Sequence, residues 1–580
     1  MAIAGISVKP VTLSPVSPRG INFSGEIVDT LKENRSALFS VAGFSGIINL
    51  LYLTPAIYML QIYDRVLNSQ SVYTLIALTI LAFGIFIALG LLEYFRSSIL
   101  AEIGDEIDNS LSSRVFHAAF ARQSKLQESQ PGQPLWDLNQ LRQFFSGNGL
   151  IALMDVPWLP IFMVVIFLLH PYLGWFALLG AIILLVLTAL AERMAREPSA
   201  LAQQLTMAAN GMASTQLKNT DVISAMGMLP SLTKRWKALH TSAAAQQMNT
   251  FEDVGLISGS TRIARLILQS GILGLGAYLV IHGELSAGSM IAATILMTRA
   301  LSPLESLLSH WKSLLKTYES VQRLSALLLE YPERVAGIAL PRPVGEIVAE
   351  NIYVTPPGRT GPVLQGITFT LGPREVVGVI GASASGKSTL GRAILGIWPT
   401  QGGKIRLDGS DIYRWNQSEL GHLLGYLPQD IELFSGTIAE NICRFGEIDS
   451  TKCIEAAKVL GIHEMILRFP EGYETHIGDA GINLSGGQRQ LIGLARAVYG
   501  NPVLVVLDEP DSNLDEAGEK ALMNAIQSLK GQGSTVMVIT HRPKLLSIVD
   551  RAMLLQDGKV HHVKLKKKEE PEHGNESNSL

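Results

Sequence analysis

The chain has 580 residues, 47% of them hydrophobic and only 17% charged, with a mean hydropathy of +0.26 and a formal net charge of −3. That balance leans toward a membrane protein with room for more than one domain, and it gives no reason to expect nucleic acid as a partner. The only cysteines, Cys443 and Cys453, are read as reduced and structural, which argues against a disulfide framework or a cysteine metal site.

Residues 1–35 carry Pro10, Pro15 and Pro18, several serines and scattered charge, with no evident cleavable signal peptide. They read as a cytoplasmic lead-in with little structure, in which 23–33 is able to form a short amphipathic helix. Long apolar stretches follow, each near the ~20 residues that cross ~30 Å of hydrocarbon. They run over about 36–63, 72–95, 150–169, 172–190, 263–281 and 290–308. The connections alternate between short loops and two long polar segments, 96–147 and 192–261. The expectation is therefore six membrane spans within a domain covering 36–330.

Basic residues orient the spans. Arg96, Arg114, Arg122, Lys125 and Arg142 lie in the first long segment, and Arg193, Arg196, Lys218, Lys234, Arg235 and Lys237 in the second, whereas the short loops hold little beyond Arg65. Both long segments are then cytoplasmic, and so are the outer flanks of the first and last spans. Arg262 and Arg265 read as the positive flank of the fifth span. Arg299 falls near the middle of the last span, where it lines a cavity, pairs with a neighbouring helix, or snorkels to the surface if the span is shifted. Pro303 is expected to kink that helix. Asp155, two residues before Pro157, faces a polar cavity or, the preferred reading, caps a helix whose first turn holds the proline.

A helical continuation of the last span ends near 330, and Pro332, Pro341 and Pro343 mark a linker over 331–344. A second domain occupies 345–562. The tail 563–580, rich in lysine, glutamate and serine, is too polar to pack and is read as disordered.

The second domain carries the chemistry. An apolar strand, 376–380, breaks into Gly381, Ala382, Ser383, Ala384, Ser385, Gly386, Lys387, Ser388 and Thr389, a phosphate loop of the form G-x-x-x-x-G-K-[ST] placed before a helix. Backbone amides and a helix N-terminus then face phosphate oxygens, Lys387 reaches the β and γ phosphates, and the Ser388 hydroxyl takes a place on Mg²⁺. A second apolar strand, 503–507, ends in Asp508 and Glu509. Asp508 is suited to hold the metal and Glu509 to polarise the attacking water. Gln429, after a strand and Pro428, is positioned to sense both metal and water, and His541, after the strand 535–539, to contact the γ phosphate. Ser485, Gly486, Gly487 and Gln488 precede a helix expected to begin near Arg489, where exposed amides suit an anion.

Together these motifs resemble the ATP-binding cassette over about 345–562: phosphate loop, Q-loop at Gln429, LSGGQ signature at 484–488, Walker B strand ending at Asp508 and Glu509, D-loop at 512–515 and switch His541. With the six spans, the chain is similar to an ABC exporter half-transporter. The fold this implies is a six-helix membrane α-helical domain followed by an α/β P-loop cassette. The resemblance also implies ATP and Mg²⁺ as cofactors, and a homodimer in which each ATP lies between the phosphate loop of one subunit and the signature of the other. Closure of the nucleotide domains, hydrolysis and reopening would drive transport. Two departures stand out. Ala384 replaces a glycine found in many cassettes, so a negative φ is expected there. The aromatic residue that stacks on adenine in many exporters has its place taken by Pro356, with Tyr353 the remaining adenine candidate.

The segments 55–71 (PAIYMLQIYDRVLNSQS) and 155–162 (DVPWLPIF) resemble the type I secretion exporters of the protease and lipase subgroup. No cysteine precedes Cys443, so a cysteine peptidase domain is not expected, and the lead-in is too short for its inactive counterpart. The resemblance implies an unfolded polypeptide cargo with an uncleaved C-terminal signal, a periplasmic adaptor, an outer-membrane channel and residence in the bacterial inner membrane. An exporter of lipids or small amphiphiles, and an ATP-gated regulator without transport, are the competing readings. Glu509 and His541 weigh against the last, because a pure switch needs no hydrolytic base.

Overall fold

A computed structural model describes residues 24–126, 132–333, 340–478 and 484–563. The expectations for residues 1–23 and for most of the tail lie outside the described residues. The chain divides into two compact units, 1–119 with 132–332 and 120–131 with 333–580.

The first unit is helical. Helix α1 (Gly25–Glu33) begins at Ser24 and buries Ile27 and Thr30, realising the amphipathic helix expected in the lead-in. The first apolar stretch is broken by Pro55 into α2 (Arg35–Leu51) and α3 (Thr54–Gln61), then a π-helical turn, Ile62–Val66, and the single turn α4 (Leu67–Ser69). Helix α5 (Val72–Leu126) has 55 residues. After α6 (Gln133–Phe145), the third stretch is interrupted at Pro157, giving α7 (Asn148–Asp155), a 3₁₀ turn Val156–Trp158, and α8 (Leu159–Leu169). Then come α9 (Pro171–Lys218, 48 residues), the short α10 (Thr220–Ala225), α11 (Leu229–Ile281, 53 residues) and α12 (Ala287–Glu330, 44 residues).

Among the described residues, five segments are long and apolar enough to cross a membrane: Arg35–Ser69, Val72–Lys125, Asn148–Leu169, Gly259–Ile281 and Ala287–Trp311. The expected fourth span corresponds to a shorter apolar stretch, Pro171–Leu187. The polar segments are largely helical, because α5, α9, α11 and α12 run on without a break from apolar into polar sequence. Pro303 sits inside α12, which runs on as a single helix.

Several charged groups inside this unit have specific partners. The preferred reading of Asp155 as a helix cap is corrected: its side chain makes no capping hydrogen bond. Instead Oδ1 accepts from Arg96 Nη1 at 3.2 Å and from Asn49 Nδ2 at 2.9 Å, and the same Nη1 donates to Ser45 Oγ at 3.1 Å. Arg96 is only 6% exposed. The buried guanidinium gives the carboxylate a full opposite charge, which a capping amide does not. Arg299 packs its guanidinium over the Tyr52 ring, 4.2 Å from the centroid, which is the neighbouring-helix alternative for that residue. The π turn aims Asp64 at the start of α12, where Oδ1 accepts from Gly288 N at 2.9 Å and Oδ2 from Ser286 Oγ at 2.5 Å. A side chain at Gly288 would meet the Asp64 carboxylate at 2.6 Å, so the glycine permits this approach.

The second unit is α/β. Strands β1 (Ile347–Val354), β2 (Leu364–Leu371), β4 (Gly402–Leu407) and β5 (Ser410–Asp411) form an antiparallel sheet in the order β2-β1-β4-β5. The second sheet, in the order β12-β11-β3-β10-β9-β6, uses β3 (Val376–Ile380), β6 (Leu424–Leu427), β9 (Leu504–Asp508), β10 (Thr535–Ile539), β11 (Arg551–Gln556) and β12 (Lys559–Val563). All of its pairings are parallel except β11 with β12. Every residue of β9 and β10 is buried, which is why both read as continuous apolar runs. Helix α13 (Lys387–Ile394) follows β3, and α14 (Gln417–Leu423) precedes β6. A smaller region holds the pair β7 (Gly436–Thr437) and β8 (His476–Ile477) with α15 (Ile438–Ile442), α16 (Ser450–Val459) and α17 (His463–Leu467). Helices α18 (Gly486–Val498), α19 (Glu516–Gly531) and α20 (Pro543–Leu546) complete it. Cys443 and Cys453 are buried free thiols.

Candidate functional site

The parallel sheet brings the C-terminal ends of β3, β9, β10 and β6 to one edge, and each end carries a residue singled out in the sequence. At β3 the chain turns into the loop 381–386. A side chain on Gly381 would lie 2.3 Å from the Leu555 carbonyl oxygen, so only glycine fits there, and Gly386 has φ +101 before α13 starts. Ala384 has φ +62, not the negative value expected. The loop must curl to direct successive amides inward, and the curl imposes the left-handed conformation on whatever residue occupies that position. Lys387 folds back on its own loop, its Nζ donating to the carbonyls of Gly381 (2.9 Å) and Ala382 (3.0 Å). Ser383, Ala384 and Ser385 line a cavity of about 670 Å³, and Thr389 is buried in α13.

Asp508, the last residue of β9, is 2% exposed, and neither carboxylate oxygen makes a hydrogen bond among the described residues. Burial pushes its pKa above the ordinary aspartate value, against the pull of the nearby Ser388 hydroxyl, Arg392 and Lys387. A carboxylate with two unsatisfied buried oxygens beside a serine hydroxyl fits a hard divalent cation. Among the described residues no three His, Cys, Asp or Glu side chains cluster as a metal cage. Mg²⁺ needs none where phosphate and water complete its shell.

Glu509, with φ +48, donates its amide to Ile539 O at 2.9 Å, which turns the chain off the end of β9. Its Oε2 accepts from Gln429 Nε2 at 3.0 Å, while Oε1 lies 3.6 Å from His541 Nε2. Gln429 and His541 arrive from the ends of β6 and β10, so three residues distant in sequence meet at one carboxylate.

Helix α18 begins at Gly486, earlier than the expected start near Arg489. Ser485 is its N-cap in a reciprocal capping box: Ser485 Oγ accepts from Gln488 N (3.2 Å), and Gln488 Oε1 accepts from Ser485 N (3.0 Å). The box uses two of the four amides that a helix start leaves without intrahelical partners, and those of Gly486 and Gly487 remain at the open end.

Sequence reasoning missed Gln490. It is 1% exposed, and its side chain reaches the backbone just past β9, donating to Pro510 O and accepting from Asn513 N at 3.1 Å. The signature helix is thereby tied to the turn that carries Glu509. The signal available was a glutamine on the buried face of an amphipathic helix. Asp511 was missed as well: Thr540 Oγ1 donates to it at 3.3 Å and Arg542 Nε lies 3.2 Å from it, bracing the segment beside His541. Tyr353 is not brought to the phosphate loop. It lies on the outer side of β1 against Gly366 and Gly402, and it does not line the cavity.

Residues 364–512 match the family model described as ABC transporter, and residues 38–304 match that of the ABC transporter transmembrane region. The chain is 44% identical over 533 residues, 91% of each sequence, to the type I secretion system ATP-binding protein PrsD of Rhizobium meliloti. The chain belongs to the type I secretion ABC exporters. The exporter is also 29% identical to the alpha-hemolysin translocation ATP-binding protein HlyB of Escherichia coli, over 88% of this chain and 72% of that one. With the cyclolysin secretion/processing protein CyaB of Bordetella pertussis it shares 28% identity, over 92% and 76%. In fold, the exporter matches a bacterial Atm1-family ABC exporter with ATP bound, with a TM-score of 0.77 at 20% identity, covering 91% of this chain and 94% of that one. The exporter is a multi-pass membrane ATPase coupled to transport.

Proposed function

We propose that the exporter works as a homodimer with its nucleotide-binding units in the cytoplasm. It hydrolyses Mg²⁺-ATP to move an unfolded polypeptide with a C-terminal signal, of the protease or lipase kind, across the inner membrane into a conduit made with a periplasmic adaptor and an outer-membrane channel. The observation that carries the reading is the meeting of Gln429, Glu509 and His541 at the C-terminal edge of the parallel sheet. Glu509 would act as the base that orients and deprotonates water, while Gln429 donates to its carboxylate and His541 faces the same carboxylate from β10. Asp508 and Ser388, with Gln429 as a further oxygen donor, would hold Mg²⁺, which neutralises phosphate charge when bound. The loop 381–389 would cradle the phosphates, with Lys387 exchanging its carbonyl partners for phosphate oxygens. Ser485 to Gln488 would close on the ATP of the partner subunit through the open amides of Gly486 and Gly487.

The test uses purified full-length protein. Glu509→Gln should retain ATP binding and lose at least about 100-fold in turnover; near-normal hydrolysis would remove the base assignment. ATPase activity that responds to C-terminal signal peptides supports polypeptide cargo, and a response to lipid alone would overturn it.

A further inference from the structure

The sequence Pro356-Pro357-Gly358-Arg359 forms a tight turn. Arg359 N donates to Pro356 O at 3.2 Å and Gly358 has φ +77, the pattern of a type II turn with proline at its second position and glycine at its third. No atom lies within 4 Å of where a Gly358 Cβ would stand, so the backbone angle, not lack of space, calls for glycine there. Proline and glycine together make the turn stiff, and the stiffness fixes where residue 359 emerges.

Arg359 emerges on the wall of the 670 Å³ cavity that adjoins Ser383, Ala384 and Ser385 of the phosphate loop. Pro362 and Val363 line the same cavity, and no aromatic side chain among the described residues does. Arg359 is exposed, and its guanidinium makes no ion pair or hydrogen bond among the described residues. A nucleotide whose phosphates lie in the loop must place its base beside the loop, and a cavity of this volume accommodates a base and ribose. The guanidinium group is planar, stacks on aromatic faces and is weakly hydrated, so it can take the place of an aromatic ring against a purine.

We propose that Arg359 holds the base of the bound nucleotide, its guanidinium plane stacked on the purine with Val363 as apolar support. The inference rests on reading 381–389 as the phosphate site. Stacking does not read exocyclic groups, so GTP should bind within about threefold of ATP.

The experiment is equilibrium binding of Mg²⁺-ATP and of Mg²⁺-tripolyphosphate, which has no base, to the full-length protein in detergent. Arg359→Ala should weaken ATP binding about tenfold and leave tripolyphosphate binding unchanged. Arg359→Tyr, which supplies a ring, should recover most of the loss. Equal weakening of both ligands would place Arg359 on the phosphates and overturn the proposal, and so would unchanged affinity for both. Lys387→Ala is the separate control: if it leaves tripolyphosphate binding intact, the phosphate-loop reading fails, and the base contact with it.

Discussion

Asp508 is a buried carboxylate that the nearby Ser388 hydroxyl, Arg392 and Lys387 do not fully compensate, so burial works against its charge in the nucleotide-free protein. Asp508→Asn should therefore stabilise the nucleotide-free protein by about 1 kcal/mol while removing most ATP turnover. Thermal unfolding without nucleotide, set beside an ATPase assay, checks both halves; a lower unfolding midpoint would mean that the charge is satisfied after all. At Ala384 the strain is in the backbone. An alanine at φ +62 carries a steric cost that glycine lacks, and Ala384→Gly should raise stability by about 0.5–1 kcal/mol, net of the glycine's greater freedom when unfolded. The phosphate loop was legible in the sequence because its glycine spacing and flanking strand are local, yet the φ of Ala384 was not. The curl of the whole loop sets that angle, not the residue's own preference. Gln490 was hidden for a related reason: its four-sided bonding capacity means nothing until the fold brings the backbone of 509–513 within reach.

Between elements, the pairing of Arg96 on α5 with Asp155 at the end of α7 joins two apolar stretches through buried charges, and Asn49 and Ser45 bring in α2. Removing one partner leaves the other charge buried without its counter-charge. Arg96→Ala should cost about 3–5 kcal/mol, whereas Arg96→Met combined with Asp155→Leu should recover most of it. A double-mutant cycle on thermal unfolding in detergent reads the coupling, and additive losses would show that the two side chains do not interact. Hydropathy located the spans, because length and apolar content are properties of each stretch by itself. It also led to Arg96 being counted with the loop cations that orient the spans, since a basic residue at the end of an apolar run looks the same whether it faces water or a carboxylate 59 positions away. The cap expected at Asp155 failed on the same point: Pro157, expected in the first turn of a helix, lies in a 3₁₀ turn ahead of α8, and the partner that wins the carboxylate is on another helix.

For the whole molecule, the proposed homodimer, with two ATP sites each shared between subunits, makes a quantitative prediction. Lys387→Ala and Ser485→Arg should each abolish ATPase activity alone. In a co-assembled mixture, half of the dimers pair the two lesions in one site and leave the other site intact. About a quarter of wild-type activity should return on mixing, and no recovery would argue for sites confined within one chain. The long helices set the mechanics of whatever these sites drive. At about 1.5 Å per residue, the 53 residues of α11 make a rod about 80 Å long, more than twice the hydrocarbon thickness. Such a rod acts as a lever. A tilt of about 5° at one end moves the other by about 7 Å, more than one helical turn. Nothing along α11 has to refold for a small angular change to become a displacement on the scale of an extended polypeptide's width, so a stiff shaft, not a chain of side-chain switches, is enough to carry the stroke.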